Sequence, residues 1–320
     1  MTIKLLNMNL LNKIATIYIA VLAVSACNKI NSPAQDEGLM QFDAIHPART
    51  AKAAQNTQST QAVQTKATDA EFEADDKIGV YITGYEGEKP LELELGGNYK
   101  NNNAVIFDGH DWHATPAIYW GNKFEKFDIY AYYPYGDPQS IKEMAFEVAA
   151  DQTVEETPDY LSGYEYSDFL FASCKGVTPE DGKINLKFSH RMSKLTVKLV
   201  KGPDYDGELP TKDVNVLILN TVTKSIIDLS TGDVIKHPRA ATKNITAKRE
   251  ATDRFTAIVV PQMINYNIPL IEINCGNVCY IVNSRFHFKS GIHHTINVTL
   301  NNNPEKVEIE IGGEIEGGWD

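Results

Sequence analysis

Cysteine is scarce in this chain, which has only 4 among 320 residues. After Cys27 come Cys174, Cys275 and Cys279, so the sequence excludes a fold built on a disulfide framework. Cys275 and Cys279 flank Gly276-Asn277, a pattern typical of a two-residue hairpin turn that places the two sulfurs on diagonal positions. A bridge there would be strained, and two thiols alone do not make a zinc site. We therefore expect reduced or weakly paired structural cysteines.

Basic residues are also in short supply. The chain has 30 Lys and Arg against 42 Asp and Glu, which gives a formal net charge of −12. Binding a polyanion requires a clustered basic face, and the densest basic patch, Lys243 to Arg254, is interrupted by Glu250 and Asp253. The composition therefore disfavours a nucleic-acid partner.

Catalytic motifs are a third absence. Residues 176–184 have one spacer too many for a phosphate-binding loop and lack the Ser or Thr that would reach a metal ion. The sequence has neither a G-x-S-x-G elbow nor an H-E-x-x-H helix, and its scattered acids single out no carboxylate pair for glycoside chemistry. We expect no enzymatic activity and no cofactor.

Two turns that carry histidine are the remaining candidates for metal binding. Asp108–His113 gathers metal-capable groups, and His287, His293 and His294 flank the turn at Lys289–Gly291. A polar surface loop has the same composition as the first turn. The second is better explained by solvated hairpin residues. We expect no metal site at either turn.

Long hydrophobic runs are missing as well. The run from Ile14 to Ala26 is too short for the roughly 20 apolar residues that cross a bilayer. Because it follows Lys4 and Lys13 and ends in small residues, the sequence predicts a signal peptide over residues 1–26. Its end, Val24-Ser25-Ala26-Cys27, resembles a bacterial lipobox.

The lipobox resemblance implies that the Cys27 sulfur is diacylated and that cleavage leaves Cys27 as the new N-terminus. The protein would then be exported and held at a membrane by a lipid anchor. The alternative is a plain secretory signal in which the cysteine occurs by chance.

The next segments differ in composition. Residues 27–38 are polar and predict a tether, whereas Leu39–Ile45 alternates well enough to be a first strand, which Pro47 ends. Residues 49–71 are rich in Gln, Thr and Ala and bury too little apolar surface to order themselves. We interpret them as a mobile connector, with an isolated helix as the alternative.

From Lys77 onward, short strands follow one another. Phe127–Tyr133 alternates two faces, with Phe127, Ile129, Ala131 and Tyr133 on one side, and we expect it at the centre of the first domain. Ser140–Ala150 is the only helical pattern, and turn residues at Pro179–Gly182 indicate a domain boundary. The fold class is all-β, with two antiparallel β-sandwiches in series over residues 39–182 and 183–320. The other predicted strands are Lys77–Ile82, Ala104–Phe107, Ile184–Phe188, Leu195–Leu199, Val214–Ile218, Ile226–Leu229, Phe255–Val260, Leu270–Ile273, Tyr280–Val282 and Thr295–Leu300.

The C-terminal segment 305–320 contains one more alternating strand. Val307, Ile309 and Ile311 lie opposite acidic residues, and Ile315 and Trp319 continue the apolar set after Gly312-Gly313. Burying an aliphatic side chain contributes about 1.5–3 kcal/mol, enough over several residues to hold a partner. The alternative is the last edge strand of its own domain.

Aromatic residues crowd one region, which includes Trp112, Trp120 and the aromatic residues of Tyr130–Tyr135. Flat rings stack on sugars, so a glycan-binding platform is one hypothesis. Tyrosines in strands more commonly serve core and cross-strand packing, and we favour that interpretation.

A set of motifs in a fixed order resembles the fimbrillin (Mfa-like) family, the subunits of type V pili in Bacteroidales. It covers nearly the whole chain after the signal peptide. The motifs that follow the lipoprotein signal are Asp76–Tyr81, Ile118–Trp120, Phe127–Tyr135, Asp168–Ala172, Phe188–Leu195, Val259–Gln262 and a terminal Ile315-x-x-x-Trp319.

The resemblance implies two transthyretin-like β-sandwiches and assembly at the outer membrane. In such subunits an arginine-specific protease removes the first strand, and the C-terminal strand of a neighbour fills the groove, as in β-strand addition. On this chain the cut would follow Arg49 and the donor would lie within residues 305–320. The displaced residues would be Leu39, Met40, Phe42 and Ile45, and the donor residues Val307, Ile309, Ile311, Ile315 and Trp319.

These patterns together predict a pilus subunit that supports adhesion from the cell surface. Its expected partners are other pilus subunits, the outer membrane through the lipid anchor, and a ligand on a host or bacterial surface. The alternative hypothesis is a surface lipoprotein that binds glycans through Trp112 or Tyr130–Tyr135.

Overall fold

A computed structural model of the chain describes residues 38–47 and 71–316, and nearly all of its regular structure is β-strand. The predicted all-β class is confirmed. The signal peptide, Cys27, Arg49 and Trp319 lie outside the described residues, as do nearly all of the tether and connector. Among the residues described, no helix is long and apolar enough to cross a membrane.

The strands in the first part of the chain are β1 (Phe42–Ile45), β2 (Lys77–Glu86), β3 (Lys89–Pro90), β4 (Lys100–Phe107), β5 (Trp112–Thr115), β6 (Phe127–Tyr133), β7 (Met144–Glu147), β8 (Leu170–Val177), β9 (Ile184–Lys187) and β10 (Ser189–His190). A short helix, α1 (Gly163–Ser167), precedes β8, and a 3-10 turn (Pro179–Asp181) follows it.

The later strands are β11 (Ser193–Lys201), β12 (Val214–Thr221), β13 (Lys224–Asp228), β14 (Asp233–Lys236), β15 (Lys243–Thr246), β16 (Lys248–Ala251), β17 (Arg254–Val259), β18 (Gln262–Ile264), β19 (Pro269–Cys275), β20 (Val278–Asn283), β21 (Phe286–Phe288), β22 (Ile292–Leu300) and β23 (Glu308–Glu316). A second 3-10 turn (Pro304–Lys306) joins the last two.

The largest sheet has the strand order β10-β8-β6-β2-β4-β5-β1-β9, with β3 attached to β2. All seven residues of β6 are buried. Phe127, Ile129, Ala131 and Tyr133 enter one hydrophobic cluster, whereas Tyr130 and Tyr132 face a second cluster on the other side. The predicted alternation between two faces is confirmed, and β6 lies between β8 and β2 inside the large sheet. Its place at the centre of a first domain stays a prediction.

Four smaller sheets complete the fold. Their orders are β16-β17-β11-β22-β23, β15-β12-β19-β20, β14-β13-β7 and β18-β21. In the first of them β11 and β22 run parallel, and β23 pairs antiparallel with β22. The C-terminal strand therefore ends this sheet.

Several strand pairings cross the predicted domain boundary at Gly182. Strands β9 and β10 follow Gly182 but belong to the large sheet, and β7 pairs with β13 from the later part of the chain. The residues around Gly182 turn the chain from β8 into β9 within one sheet. From Met40 onward the chain clusters as one compact unit. Two tandem domains therefore stay a prediction.

The predicted helix at Ser140–Ala150 is wrong. This stretch contains β7, in which Met144 and Phe146 face inward with a period of two and pair with β13. Burial of these side chains against β13 outweighs the local helix propensity of this stretch. The helix lies later, in α1, where the Ser162 side chain accepts a hydrogen bond from the Glu165 backbone N–H.

The hairpin at Gly276-Asn277 forms as predicted. Asn274 pairs with Cys279 and Cys275 with Val278, so the two cysteines point to opposite faces. Cys275 is buried and Cys279 exposed, and all three cysteines of the described residues are unbridged. Burial raises the pKa of the Cys275 thiol.

The prediction of solvated histidines around the turn at Lys289–Gly291 is wrong for two of three, and the strands on either side of this turn do not form a hairpin. His293 is buried and its Nε2 lies 2.8 Å from Thr196 Oγ1, whereas His294 packs against the rings of Phe286 and Phe288. Only His287 is exposed. Both histidines lie in β22 between β11 and β23, and a local sequence pattern does not reveal these long-range pairings.

Candidate strand-exchange site

Strand β1 forms an integral part of the large sheet. It runs parallel to β9, from Phe42 opposite Ile184 to Ile45 opposite Lys187, and it meets β5 at Trp112. At its two ends the Ile184 N–H donates to Gln41 O at 2.8 Å and the Phe188 N–H donates to Ile45 O at 3.0 Å. Taking β1 away would leave the edges of β5 and β9 without this partner.

The core-facing residues are Phe42 and Ala44 in β1 and Met40 just before it. All three are buried, and Phe42 is only 1% exposed. They pack in the same hydrophobic cluster as Trp112, Ile184 and Leu186. Removal of β1 would therefore leave an apolar groove between β5 and β9, which we call the furrow, or the seat of β1.

Two of the predicted displaced residues do not face the core. Leu39 and Ile45 are half-buried. Because successive residues of a strand point to opposite faces, a strand that buries Phe42 must turn Ile45 away and bury Ala44. The small Ala44 carries a weak apolar signal in the sequence, yet it takes this inward position.

Truncation at Phe42 should destabilise the uncut protein strongly. Phe42→Ala removes a fully buried ring, and we expect a loss of about 3–5 kcal/mol in the free energy of unfolding. Urea denaturation followed by fluorescence measures it. Ile45→Ala is the matched control and should cost less than half as much. Equal losses in the two variants would contradict the assigned register of β1.

The chain leaves β1 and returns to the sheet at the same place. His46 follows β1, and its ring centroid lies 5.1 Å from that of Phe72, just after the gap in the described residues. Phe72 also makes edge contacts with Trp112, Tyr133 and Phe188. Residues 48–70, including Arg49, therefore connect two points that lie close together.

Strand β23 is an edge strand. Among the described residues it pairs with β22 alone. Val307 and Ile309 are partly buried against the core, whereas the side chains of Ile311 and Ile315 are 52% and 48% exposed. The tail thus occupies the edge position that the sequence left open as an alternative, and donation to a neighbour stays a prediction.

A bulge at Gly312-Gly313 divides the apolar set of β23. Ile311 lies opposite Ile296, but after the bulge Glu314 lies opposite His294 and Ile315 opposite His293. Paired residues of an antiparallel ladder share a face, so Ile315 lies on the other face from Ile309 and Ile311. In this pairing Ile315 therefore does not continue the face of Ile309 and Ile311, and its role as a donor residue stays a prediction.

The aromatic residues of the glycan hypothesis are mostly in the core. Trp112 is 6% exposed and stacks on Phe107, and Tyr130, Tyr132 and Tyr133 are buried. Tyr135 is the exposed member, with Lys77 Nζ 5.8 Å from its ring centroid. Core packing of this cluster, the favoured interpretation, is confirmed.

The acidic turn at Asp108 is organised by its own backbone. Asp108 Oδ1 accepts hydrogen bonds from the backbone N–H groups of His110 and Asp111, and Oδ2 lies 2.8 Å from His113 Nε2. These hydrogen bonds lower the pKa of Asp108 to about 2. Within the described ranges, no group of three or more His, Cys, Asp or Glu side chains is placed to hold a metal ion.

Comparison with known proteins relates the chain to one family. The sequence profile of the family described as fimbrillin-like matches residues 65–317. No curated protein sequence matches this chain.

Solved structures share its fold. A candidate cell adhesion protein of Bacteroides uniformis superposes with a TM-score of 0.62 at 18% identity, over 90% of this chain and 100% of that chain. A second one, from Bacteroides ovatus, gives 0.61 at 19% identity, over 87% and 96%. A fimbrial protein of Bacteroides vulgatus gives 0.50 at 15% identity, over 89% and 100%.

Proposed function

The chain belongs to the fimbrillin-like family, and from this premise we propose that it is a structural, non-enzymatic subunit of a cell-surface pilus, built by strand exchange and supporting adhesion. The family match confirms the resemblance drawn from the motifs. It supports assembly with other pilus subunits and a place in the fimbrium at the cell surface.

The observation that carries the strand-exchange proposal is the burial of β1. Its inward residues Met40, Phe42 and Ala44 belong to the core, yet the strand lies at the N-terminal end of the described fold. Because β1 precedes β2, its removal would open the furrow while the chain from β2 to β23 stays intact. Most of the remaining sheet pairings do not involve it.

The donor proposed for the furrow is β23. Val307, Ile309 and Ile311 repeat the spacing of Met40, Phe42 and Ala44, so a strand of either set presents three apolar residues to the same face. Ile311 is half exposed at rest, and burying such a side chain contributes about 1.5–3 kcal/mol. Exchange replaces one set of main-chain hydrogen bonds by another, so side-chain burial decides its direction.

Cleavage after Arg49 supplies the trigger. While β1 is covalently attached, its effective concentration at the seat is roughly millimolar or higher, so a neighbour's strand competes poorly. A cut turns β1 into a separate peptide that dissociates and dilutes. The same cut separates the fold from Cys27, so the lipid anchor and the blocking strand leave together.

The proposal includes export as a lipoprotein and lipid anchoring at the outer membrane through Cys27, together with a ligand on a host or bacterial surface. Both rest on the sequence patterns. Cleavage by an arginine-specific protease, followed by size-exclusion chromatography, tests the assembly step, with Arg49→Ala as the uncleaved control.

For the glycan alternative, Trp112→Ala gives a sharp result. Because Trp112 is buried, we expect the variant to lose about 3–5 kcal/mol of stability and to migrate as the parent does in polysaccharide affinity electrophoresis. The Tyr135→Ala variant removes an exposed ring and serves as the control for surface stacking. Retardation of the parent that disappears in either variant would revive glycan binding.

A further inference from the structure

Two carboxyl groups meet at one tyrosine hydroxyl beside the end of β1. Tyr133 Oη lies 3.0 Å from Asp76 Oδ1 and 2.9 Å from Glu165 Oε1. Tyr133 ends β6, Asp76 precedes β2 and Glu165 belongs to α1. Tyr133 and Asp76 are buried and Glu165 is half-buried. The three side chains therefore tie α1 to the large sheet.

The tyrosine hydroxyl supplies one proton fewer than this contact needs when both carboxyl groups are ionised. A phenol hydroxyl carries one proton and donates one hydrogen bond. With both carboxyls ionised, only one could accept from Tyr133, and the other would face the lone pairs of the same oxygen. One extra proton resolves the conflict, since one carboxyl then donates to Tyr133 while the other accepts from it. Asp76 Oδ2 also accepts the Glu73 backbone N–H at 2.7 Å, which favours the proton on Glu165.

The surroundings oppose loss of this proton. Burial raises the pKa of Asp76 to about 6 and that of Glu165 to about 7, and Glu73 and Glu156 add to both shifts. Acidic groups outnumber basic ones here. The other charged and titratable groups around the pair are His46 after β1, Glu71 and Asp75 before β2, Lys77 in β2, Tyr135 after β6, Glu155, Asp159 and Tyr160 between β7 and α1, Tyr164 in α1, Asp168 after α1, His190 in β10 and Lys248 in β16.

The pair is joined to β1 through aromatic rings. The Phe72 ring lies 5.6 Å from that of Tyr133 and 5.1 Å from that of His46. His46, Phe72, Asp76, Tyr133 and Glu165 line one cavity. A shift of α1 away from the sheet would therefore open the place where the chain leaves β1.

We infer that Asp76, Tyr133 and Glu165 form a proton-dependent clasp, which holds α1 on the large sheet at the exit of β1 and loosens when the shared proton is lost. The clasp itself is a property of the uncut subunit. Its consequence, faster release of β1 at higher pH, regulates the proposed function and rests on it.

The sign of the pH effect follows from linkage. Both folded values lie above the ordinary values of 3.8 and 4.5, so the folded state binds more protons than the unfolded state between about pH 4 and pH 7. The stabilisation by this pair is fully present below about pH 4 and is lost as the pH rises to about 7.

Glu165→Gln tests the clasp in the uncut protein. The amide donates to Tyr133 at every pH, so we expect its melting temperature to match the parent at pH 5 and to exceed it by roughly 3 °C at pH 8. Glu180→Gln, at an exposed site, should show no such crossover. A parent-to-variant difference that stays constant from pH 5 to pH 8 would overturn the clasp. Should the variant fail to fold, carbon-detected NMR titration of the parent carboxyls decides, and ordinary values for both would be equally contrary.

Release of β1 tests the regulatory step. Protein cut after Arg49 at one pH is shifted to pH 5.5 or pH 8, and the half-life of the bound N-terminal fragment is measured by native mass spectrometry. We expect release to be at least roughly threefold faster at pH 8, and to lose this dependence in Glu165→Gln. A residual dependence of the same size in that variant would show that Glu165 does not set it and would overturn the link between the clasp and β1. Equal half-lives in a protein that shows the melting crossover would refute the link to β1 while leaving the clasp intact, and a fragment that never leaves would count against the proposed function.

Discussion

Protein cut after Arg49 is expected to convert from monomer to polymer, whereas uncut protein stays monomeric at the same concentration. The reason is mass action: the cut replaces an attached competitor of high effective concentration by a dilute peptide. Sedimentation velocity and electron microscopy measure the outcome. Because the chain has other arginines, the product must be checked for a single new N-terminus at Thr50.

The matched control is Arg49→Ala, which removes the cut while leaving β1 and its seat unchanged. This variant should remain monomeric after protease treatment. A correctly trimmed protein that stays monomeric at high concentration would exclude a role as a polymerising subunit. Polymer from Arg49→Ala would show that the trigger lies elsewhere.

Ile311→Asp should abolish polymer formation with little effect on the monomer. Ile311 is 52% exposed on the edge strand, and substitutions at such sites change stability by roughly 0.5 kcal/mol or less. In the proposed complex the same side chain enters an apolar furrow, where an unpaired carboxylate costs several kcal/mol. Sizing of the cut protein, with urea denaturation of the uncut one, separates the two effects.

Ile235→Asp is the control, since Ile235 is 60% exposed on β14, away from the donor strand. It should polymerise normally. Deleting residues 305–320 should also abolish assembly, but it removes an edge strand of the sheet as well. Normal polymerisation of Ile311→Asp would rule out β23 as the donor. Ile315→Asp tests whether the bulge at Gly312-Gly313 persists in the polymer. Only a strand without the bulge points Ile315 into the furrow, so only then should this variant block assembly.

Sequence patterns succeeded where local alternation coincides with burial. Strand β6 is the clearest example, because its alternate residues enter two separate clusters and its ends match the prediction. The hairpin at Gly276-Asn277 is another, since the turn residues fix its register. In both cases the signal lies within one short stretch of the chain, as alternation in β6 and as turn residues in the hairpin.

The patterns failed where distant strands decide. The stretch around Met144 became a strand because β13 pairs with it, and His293 became buried because β11 lies beside β22. The small side chain of Ala44 hid its inward position, and the bulge at Gly312-Gly313 reversed the face of Ile315. Neither the inward position of Ala44 nor the bulge leaves a periodic signal in the sequence.

The most direct test of strand exchange is a disulfide between two subunits. Asn185 of β9 is exposed beside Asp43 of β1, and Glu310 lies between Ile309 and Ile311 and pairs with Asn297 at rest. Two proteins, Asn185→Cys and Glu310→Cys, each also carrying Cys174→Ser and Cys279→Ser, are mixed, cut after Arg49 and oxidised. The account predicts a cross-linked heterodimer, which forms only after the cut, with Glu308→Cys reporting a shift of register by two residues. A double variant, Glu310→Cys with Asn297→Cys, reports whether β23 still pairs with β22 of its own chain. If this bridge forms in the polymer and neither Glu310→Cys nor Glu308→Cys cross-links to Asn185→Cys, the furrow left by β1 does not receive the C-terminal strand.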